Sequence, residues 1–324
     1  MIVPFEWLRV QGGGRIEDLQ LILDLYARFA AGELGTRTPY AETLRKEGLS
    51  EEAVKARLVR LFVAHIQPLG EIEVPVRLTA LGEYEVIDGY HRSARCRYEG
   101  RAGVPVRVEE VSLLWAQLVA SLEALYPERT RHLYQAIEHP YFADWAVDRS
   151  SLRYGLMLAA LSARGIAPGL HLDVGSCTGR IVREFARRGW RSYGVDRDAR
   201  VVAIAEHLGL IFGVRATFSA TDQIESRLGS GWGYGAVTCL STFHRMMAAG
   251  NAPEVAALYR RILDRTRVFF VDDCSLEDVS VRTGHFDWSK FGEWLRDIAG
   301  ATHTAEAIGT TEGRTIFACF RVGS

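Results

Sequence analysis

The chain has 324 residues, 48% apolar and 24% charged, which is enough to bury two cores and leads us to expect two domains. A net charge of −1 supplies no bulk attraction for nucleic acid, so DNA or RNA is not an expected partner without a local basic patch. No apolar run reaches the ~18 residues that cross a bilayer, no signal-like segment opens the chain, and Cys96, Cys177, Cys239, Cys274 and Cys319 lack Cys-x-x-Cys spacing, so the expectation is a cytoplasmic protein with reduced thiols and no zinc site.

Residues 2–8 read as a short strand, Gly12-Gly13-Gly14 as a turn, and 16–29 as a helix by apolar spacing. A second helix is expected over 50–64, capped by Ser50, with Glu51 and Glu52 in the first turn where negative charge suits the helix dipole. Strands follow over 72–78 and 84–87, the second running directly into Asp88-Gly89-Tyr90-His91-Arg92. A helix over 93–99, then Gly100 and a strand over 104–108, close this part.

The succession Val3-Pro4 to Leu8, Pro75-Val76-Arg77-Leu78, Tyr84 through Arg92, and Val104-Pro105-Val106 resembles the ParB/sulfiredoxin-like domain family. The resemblance covers about the first third and implies a small α+β domain over 1–110 whose strand-to-helix turn receives nucleotide phosphates. A helix N-terminus presents donors to an anion, and His91 and Arg92 would add positive charge and forked hydrogen bonds. Tyr90 stands where sulfiredoxins carry their reactive cysteine, which disfavours sulfinic-acid repair.

The turn is most similar to that of the free-serine-kinase type. That likeness implies ATP or another nucleotide with Mg, Asp88 supporting phosphoryl transfer, and Glu6 on the first segment as base. The alternative is a non-catalytic domain kept for substrate binding or dimerisation, with Asp88 and His91 as turn and capping residues and a homodimer as the assembly. A partition role is disfavoured, because no helix-turn-helix or basic segment follows.

Residues 111–149 are expected to connect two domains, with an apolar helix over 111–125 that Pro127 bounds. The aromatic-rich stretch from Tyr134 to Trp145 reads either as a wall or lid for a substrate or as a packing clamp.

From 150 to 324, helices and strands alternate, the pattern of a mostly parallel sheet with helices on both faces. Strand 170–174 runs into Asp173-Val174-Gly175-Ser176-Cys177-Thr178-Gly179, and a helix starts at Arg180 with unpaired N–H groups facing the same crevice. The next strand ends at Asp196, at the offset of ~20 residues where an acid accepts both hydroxyls of a ribose. The spacing is not the Gly-x-Gly-x-x-Gly of dinucleotide folds. Asp173-x-Gly175-x-x-x-Gly179 resembles motif I of the class I S-adenosylmethionine-dependent methyltransferases, with Cys177 where that family usually has a middle glycine.

That resemblance implies an α/β, Rossmann-like methyltransferase domain whose cofactor is S-adenosylmethionine. It assigns Asp173, Gly175, Ser176, Cys177 and Gly179 to the cofactor turn, Asp196 to the ribose with Arg197 beside it as a cofactor-binding residue, Asp222 and Gln223 to the adenine, and Leu240 and Ser241 to the end of the fourth strand, expected over 234–240. A final antiparallel pair near 303–308 and 315–321 is typical of the family's sheet.

Methyl transfer is an in-line displacement, so a base is needed only for an acceptor with a removable proton. His244, just past the fourth strand, is the candidate, with cofactor contact or packing as its plainer role. Asp272, Asp273 and His285 follow the fifth strand, expected over 268–271, and could line the acceptor site. Metal binding has little support. The expected substrate is a small molecule or a glycan-linked group, first bound or phosphorylated by the N-terminal domain. The alternative is a nucleotide-gated regulatory or nucleic-acid-associated methyltransferase. Against it, Ser241-Thr242-Phe243-His244 stands where adenine-methylating enzymes carry Asn or Asp-Pro-Pro-aromatic.

Overall fold

The computed structural model describes residues 1–10, 14, 15, 19–67, 69, 73–149, 152–221, 224, 228, 233–248, 250–274 and 286–323. Asp222, Gln223, His285, Gly12, Gly13 and the first residues of the expected helix at 16 and strand at 72 lie outside them. The chain divides into two compact units, Met1–Val119 with His139–Ala143, and Ala120–Glu138 with Asp144–Ser324. The division is therefore not made at a single connector over 111–149. Its first cut falls inside one helix, and five residues of the aromatic stretch belong to the first unit.

The first unit contains β1 (Ile2–Pro4), β2 (Leu8–Arg9), α1 (Gln20–Ala30), α2 (Pro39–Lys46), α3 (Glu51–Ile66), β3 (Val74–Leu78), β4 (Tyr84–Val86), α4 (Tyr90–Tyr98), β5 (Gly103–Val111) and the start of α5 (Leu113–Leu125). Its mixed sheet has the order β1-β5-β3-β4-β2, with β3 parallel to β5 and antiparallel to β4. Alternate residues Val74, Val76 and Leu78 are buried while Arg77 is exposed, the period-two pattern of a sheet with one covered face. Leu25, Phe29, Leu44, Val54 and Leu58 join the three helices through a separate apolar cluster. The sequence reading lacks α2, whose start is set by Thr38 accepting from the Ala41 N–H at 3.3 Å and by Pro39 in the first turn.

In the second unit, β6 (His132–Gln135) and β7 (Ala146–Arg149) form a parallel pair that periodicity did not announce. There follow α6 (Leu152–Ala163), β8 (Leu170–Val174), α7 (Arg180–Arg187), β9 (Arg191–Asp196), α8 (Ala199–Ile211), β10 (Thr217–Ala220), β11 (Tyr234–Cys239), α9 (His244–Ala248), α10 (Ala252–Arg265), β12 (Thr266–Asp272), α11 (Phe291–Ala299), β13 (His303–Thr311) and β14 (Arg314–Arg321). The seven strands run in the order β10-β9-β8-β11-β12-β14-β13; β10 to β12 are parallel and the last two antiparallel.

Val268 and Phe270 of β12 pack with Met157, Leu161 and Phe185 on one face, while Phe269 and Val271 pack with Val255, Ile262 and Leu295 on the other. Burial on both faces is why β11 and β12 read as nearly continuous apolar runs. The order of connection reverses about β8, which opens a crevice at the strand carboxyl ends.

Candidate functional site

In the second unit a cavity of about 640 Å³ lies at that crevice, within the ~300–1,000 Å³ range of ligand sites. Val174, Gly175, Cys177, Asp196, Arg197, Leu240, Ser241 and His244 line it together. The sequence analysis had named all of these except Val174 as site residues, and the sheet gathers them from β8, β9 and the segment after β11.

The turn after β8 is built from left-handed backbone: Gly175 has φ +74, Cys177 +50 and Gly179 +78. A Cβ at Gly175 would stand 2.3 Å from the Thr242 hydroxyl, and one at Gly179 would stand 2.5 Å from the Phe218 ring. Both glycines therefore meet a space requirement as well as a backbone one. Cys177 takes the conformation that a glycine would take without strain. Burial pushes its thiol up to about 12, so it stays a neutral, unreactive group.

The Cys177 N–H donates to Oδ2 of Asp196 at 2.9 Å, and the Asp198 N–H donates to Oδ1 at 3.0 Å. An ionised carboxylate has about four acceptor positions, so two remain for a ligand in the cavity. Gln135 accepts from Thr178 Oγ1 at 3.2 Å and from the Arg180 N–H at 3.3 Å, closing the start of α7.

Asp173 and Ser176, of the same turn, have buried side chains. Asp173 is buried and its Oδ1 accepts from Thr238 Oγ1 at 2.6 Å, while Ser176 is fully buried behind the turn. Neither is among the residues lining the larger cavity, although Asp173 borders a smaller one with Arg153 and Arg180. Burial pushes the Asp173 carboxyl up to about 7. His171 bridges Ser192 at 2.6 Å and Thr238 at 3.0 Å. Burial lowers its pKa to about 3, so one ring nitrogen carries a proton and the other accepts. With Thr238 donating to Asp173, Nε2–H must donate to Thr238 and Nδ1 must accept from Ser192.

The sequence reading missed Tyr126, Arg149, Thr242 and Arg314, which also line the cavity, and Tyr134 enters it from the aromatic stretch. That stretch does two jobs. Tyr134 and Gln135 reach the site, whereas His139 is buried in the first unit, 2.7 Å from the Gly82 carbonyl and packed on Trp115. Asp273 is half-buried and accepts from the Thr315 N–H at 2.7 Å.

At the turn of the first unit, Gly89 has φ +94 and starts α4, and its N–H donates to Asp88 at 2.7 Å. Exposed Asp88 lies 3.6 Å from the Arg92 guanidinium. The expected positive charge at His91 is not met. Its Nε2 lies 3.0 Å from the Tyr40 hydroxyl, and burial, with Arg57 nearby, lowers its pKa to about 4. Glu6 is exposed in a short 3-10 turn, and its backbone carbonyl accepts from Arg9 at 2.7 Å. Among the described residues, no three His, Cys, Asp or Glu side chains converge as metal ligands, and no helix is long and apolar enough to cross a membrane.

No protein-family profile matches the sequence, and no curated protein matches it. Solved structures do. WbdD aligns with a TM-score of 0.52 at 19% identity, covering 64% of this chain and 41% of that one. Magnesium protoporphyrin IX methyltransferase (ChlM) from Synechocystis PCC 6803, with bound SAM, aligns at 0.40 and 21%, covering 52% and 78%. The T. thermophilus 16S rRNA N2 G1207 methyltransferase RsmC aligns at 0.42 and 18%, covering 56% and 45%. The chain thus spans less than half the length of WbdD. At these identities it is the fold that is shared, and it is the Rossmann-like methyltransferase fold.

Proposed function

We propose that the chain is an S-adenosylmethionine-dependent methyltransferase acting on a small molecule or a glycan-linked group. The observation that carries this reading is the Asp196 carboxylate held against the Cys177 N–H at the wall of the cavity. The residues fit the cofactor: Asp196 retains acceptor positions for ribose hydroxyls, Gly175 lines the cavity beside it, and Val174, Val201 and Leu240 offer apolar wall. The bound cofactor would supply an electrophilic methyl group.

The protein's own contribution is positioning and exclusion of water, the main source of acceleration for an in-line displacement. His244 borders the cavity and is the group we assign to take a proton from an acceptor that carries one. WbdD is described as a bifunctional kinase-methyltransferase. For the present chain, support for a second activity comes from the ParB/sulfiredoxin-like pattern around Gly89 and Arg92. We assign a nucleotide phosphate to the start of α4, with Arg92 as the cation and His91 as a neutral packing residue. ATP with Mg, and phosphorylation of the methyl acceptor through Asp88 and Glu6, is the extended form of that assignment. Calorimetry with S-adenosylhomocysteine tests the main reading, and an absence of binding to the full chain would end it.

A further inference from the structure

Five charged side chains gather around Ser241, just past the end of β11 and apart from the groups assigned to the ribose. Ser241 has a left-handed backbone, φ +56, which its surroundings must hold in place. Its N–H donates to Asp272 Oδ1 at 2.6 Å and its hydroxyl donates to Asp272 Oδ2 at 3.0 Å. The same hydroxyl oxygen accepts from Arg153 Nη1 at 3.0 Å and from Arg314 Nη1 at 3.1 Å. Two guanidinium groups therefore converge on one oxygen, each also near Asp272, at 3.4 and 3.6 Å. Arg153 Nε and Arg149 Nη1 face Glu312 at 3.4 and 3.7 Å.

Arg149, Arg153 and Arg314 meet Asp272 and Glu312 here, and half-buried Asp273 acts on Arg314 from beside them. Arg153, Asp272 and Arg314 are only 6%, 7% and 3% exposed, so water screens these charges poorly. Donor capacity is left over: Arg153 Nη2, Arg149 Nε and Arg314 Nε have no hydrogen-bond partner among the described residues. Nearby Arg180 is already matched by Glu138 and Glu184. Arg149 and Arg314 line the same cavity as Asp196 and His244.

We infer that this cluster is an oxyanion site and that the methyl acceptor is a small molecule bearing a carboxylate or phosphate, held by Arg149 and Arg314 with Arg153 braced behind them. The inference rests on the methyltransferase reading of the second unit. Asp196 closes β9 on one side of β8, whereas Ser241 follows β11 and Asp272 closes β12 on the other, so the arginines stand across the switch point from the ribose acid. Forked guanidinium donors suit the planar or tetrahedral oxygens of such a group.

The competing source of negative charge is the carboxylate of the cofactor itself, and the experiment separates the two. Calorimetry on the full chain compares S-adenosylhomocysteine with 5′-methylthioadenosine, which keeps the nucleoside and sulfur but has no carboxylate. Inorganic phosphate is then titrated into protein saturated with S-adenosylhomocysteine, at ionic strength held constant with chloride. The expected result is saturable phosphate binding that Arg149→Gln weakens at least roughly tenfold, with both nucleosides bound within about twofold of wild type. Arg314→Lys, which keeps the charge and removes the fork, should weaken phosphate less and report on the same site if Arg149→Gln unfolds.

No phosphate binding to the saturated wild type would overturn the inference. So would a roughly tenfold loss of S-adenosylhomocysteine in Arg149→Gln with methylthioadenosine unchanged, since the arginines would then serve the cofactor. If S-adenosylhomocysteine does not bind the wild type, the parent reading fails. Arg149-dependent phosphate binding to the free protein would still support the oxyanion site in that case, and its absence would remove both.

Discussion

Cys177 and Asp196, on successive strand-to-helix turns of one sheet, are joined by a single 2.9 Å hydrogen bond from backbone N–H to carboxylate. The bond fixes the acid at the cavity wall while leaving about half of its acceptor positions open. Asp196→Ala should weaken S-adenosylhomocysteine binding at least roughly tenfold, about 1.4 kcal/mol, by calorimetry. Unchanged affinity would remove Asp196 from the cofactor site.

Cys177 holds φ +50 without being glycine, which costs an L-residue about 1–2 kcal/mol, while a glycine there costs about 0.5–1 kcal/mol in the unfolded chain. The two effects nearly cancel, so Cys177→Gly should shift Tm by no more than a few degrees. Cys177→Val, β-branched, should lower Tm clearly in the same scan. Iodoacetamide should label Cys177 slowly at pH 8 in the folded protein, because burial holds the thiol at about 12.

Buried neutral histidines make the fold acid-sensitive. His91 and His139 are each lowered to about 4 by burial, so between pH ~6.5 and 4 the unfolded chain binds more protons than the folded one, and stability falls as pH falls. Asp173, raised to about 7, works in the opposite sense, because its folded-state proton is retained up to neutral pH. Thermal unfolding from pH 7 to pH 5 should show a falling Tm in the wild type and a flatter profile in His139→Gln. Identical profiles would show that His139 is not a source of the acid sensitivity.

Arg92→Ala deletes a forked cation without touching the turn glycine. If the start of α4 takes a nucleotide phosphate, ATP, ADP or CTP should raise the Tm of the wild type and not that of this variant. His91→Phe, by contrast, should lower Tm with or without nucleotide, because it breaks the contact with Tyr40.

Tyr126 and Tyr134 belong to the cavity wall. A chain beginning at 150, the boundary that sequence alone suggests, should therefore bind S-adenosylhomocysteine at least roughly tenfold more weakly than one beginning at 120. Equal affinities would show that the segment before α6 contributes nothing to the cofactor.

By itself the sequence determined what local chemistry dictates. Apolar runs buried on both faces marked β8, β11 and β12; glycine spacing and an acid at fixed offset marked the turn at Gly175 and its partner Asp196; and Ser50 with two glutamates marked the start of α3. Each is a signal confined to a few consecutive residues or to one repeated spacing. Only the tertiary structure decided what depends on long-range approach. Arg153, Ser241, Asp272 and Arg314 lie far apart in the chain and meet because the carboxyl ends of parallel β11 and β12, the start of antiparallel β14 and helix α6 come together at one sheet edge. His91, next to Arg92 in sequence, is turned toward Tyr40 and loses its charge to burial, an effect set by helices elsewhere in the unit. A side chain's type can be read from the sequence, but its charge state and its partners depend on how much water the rest of the chain leaves around it.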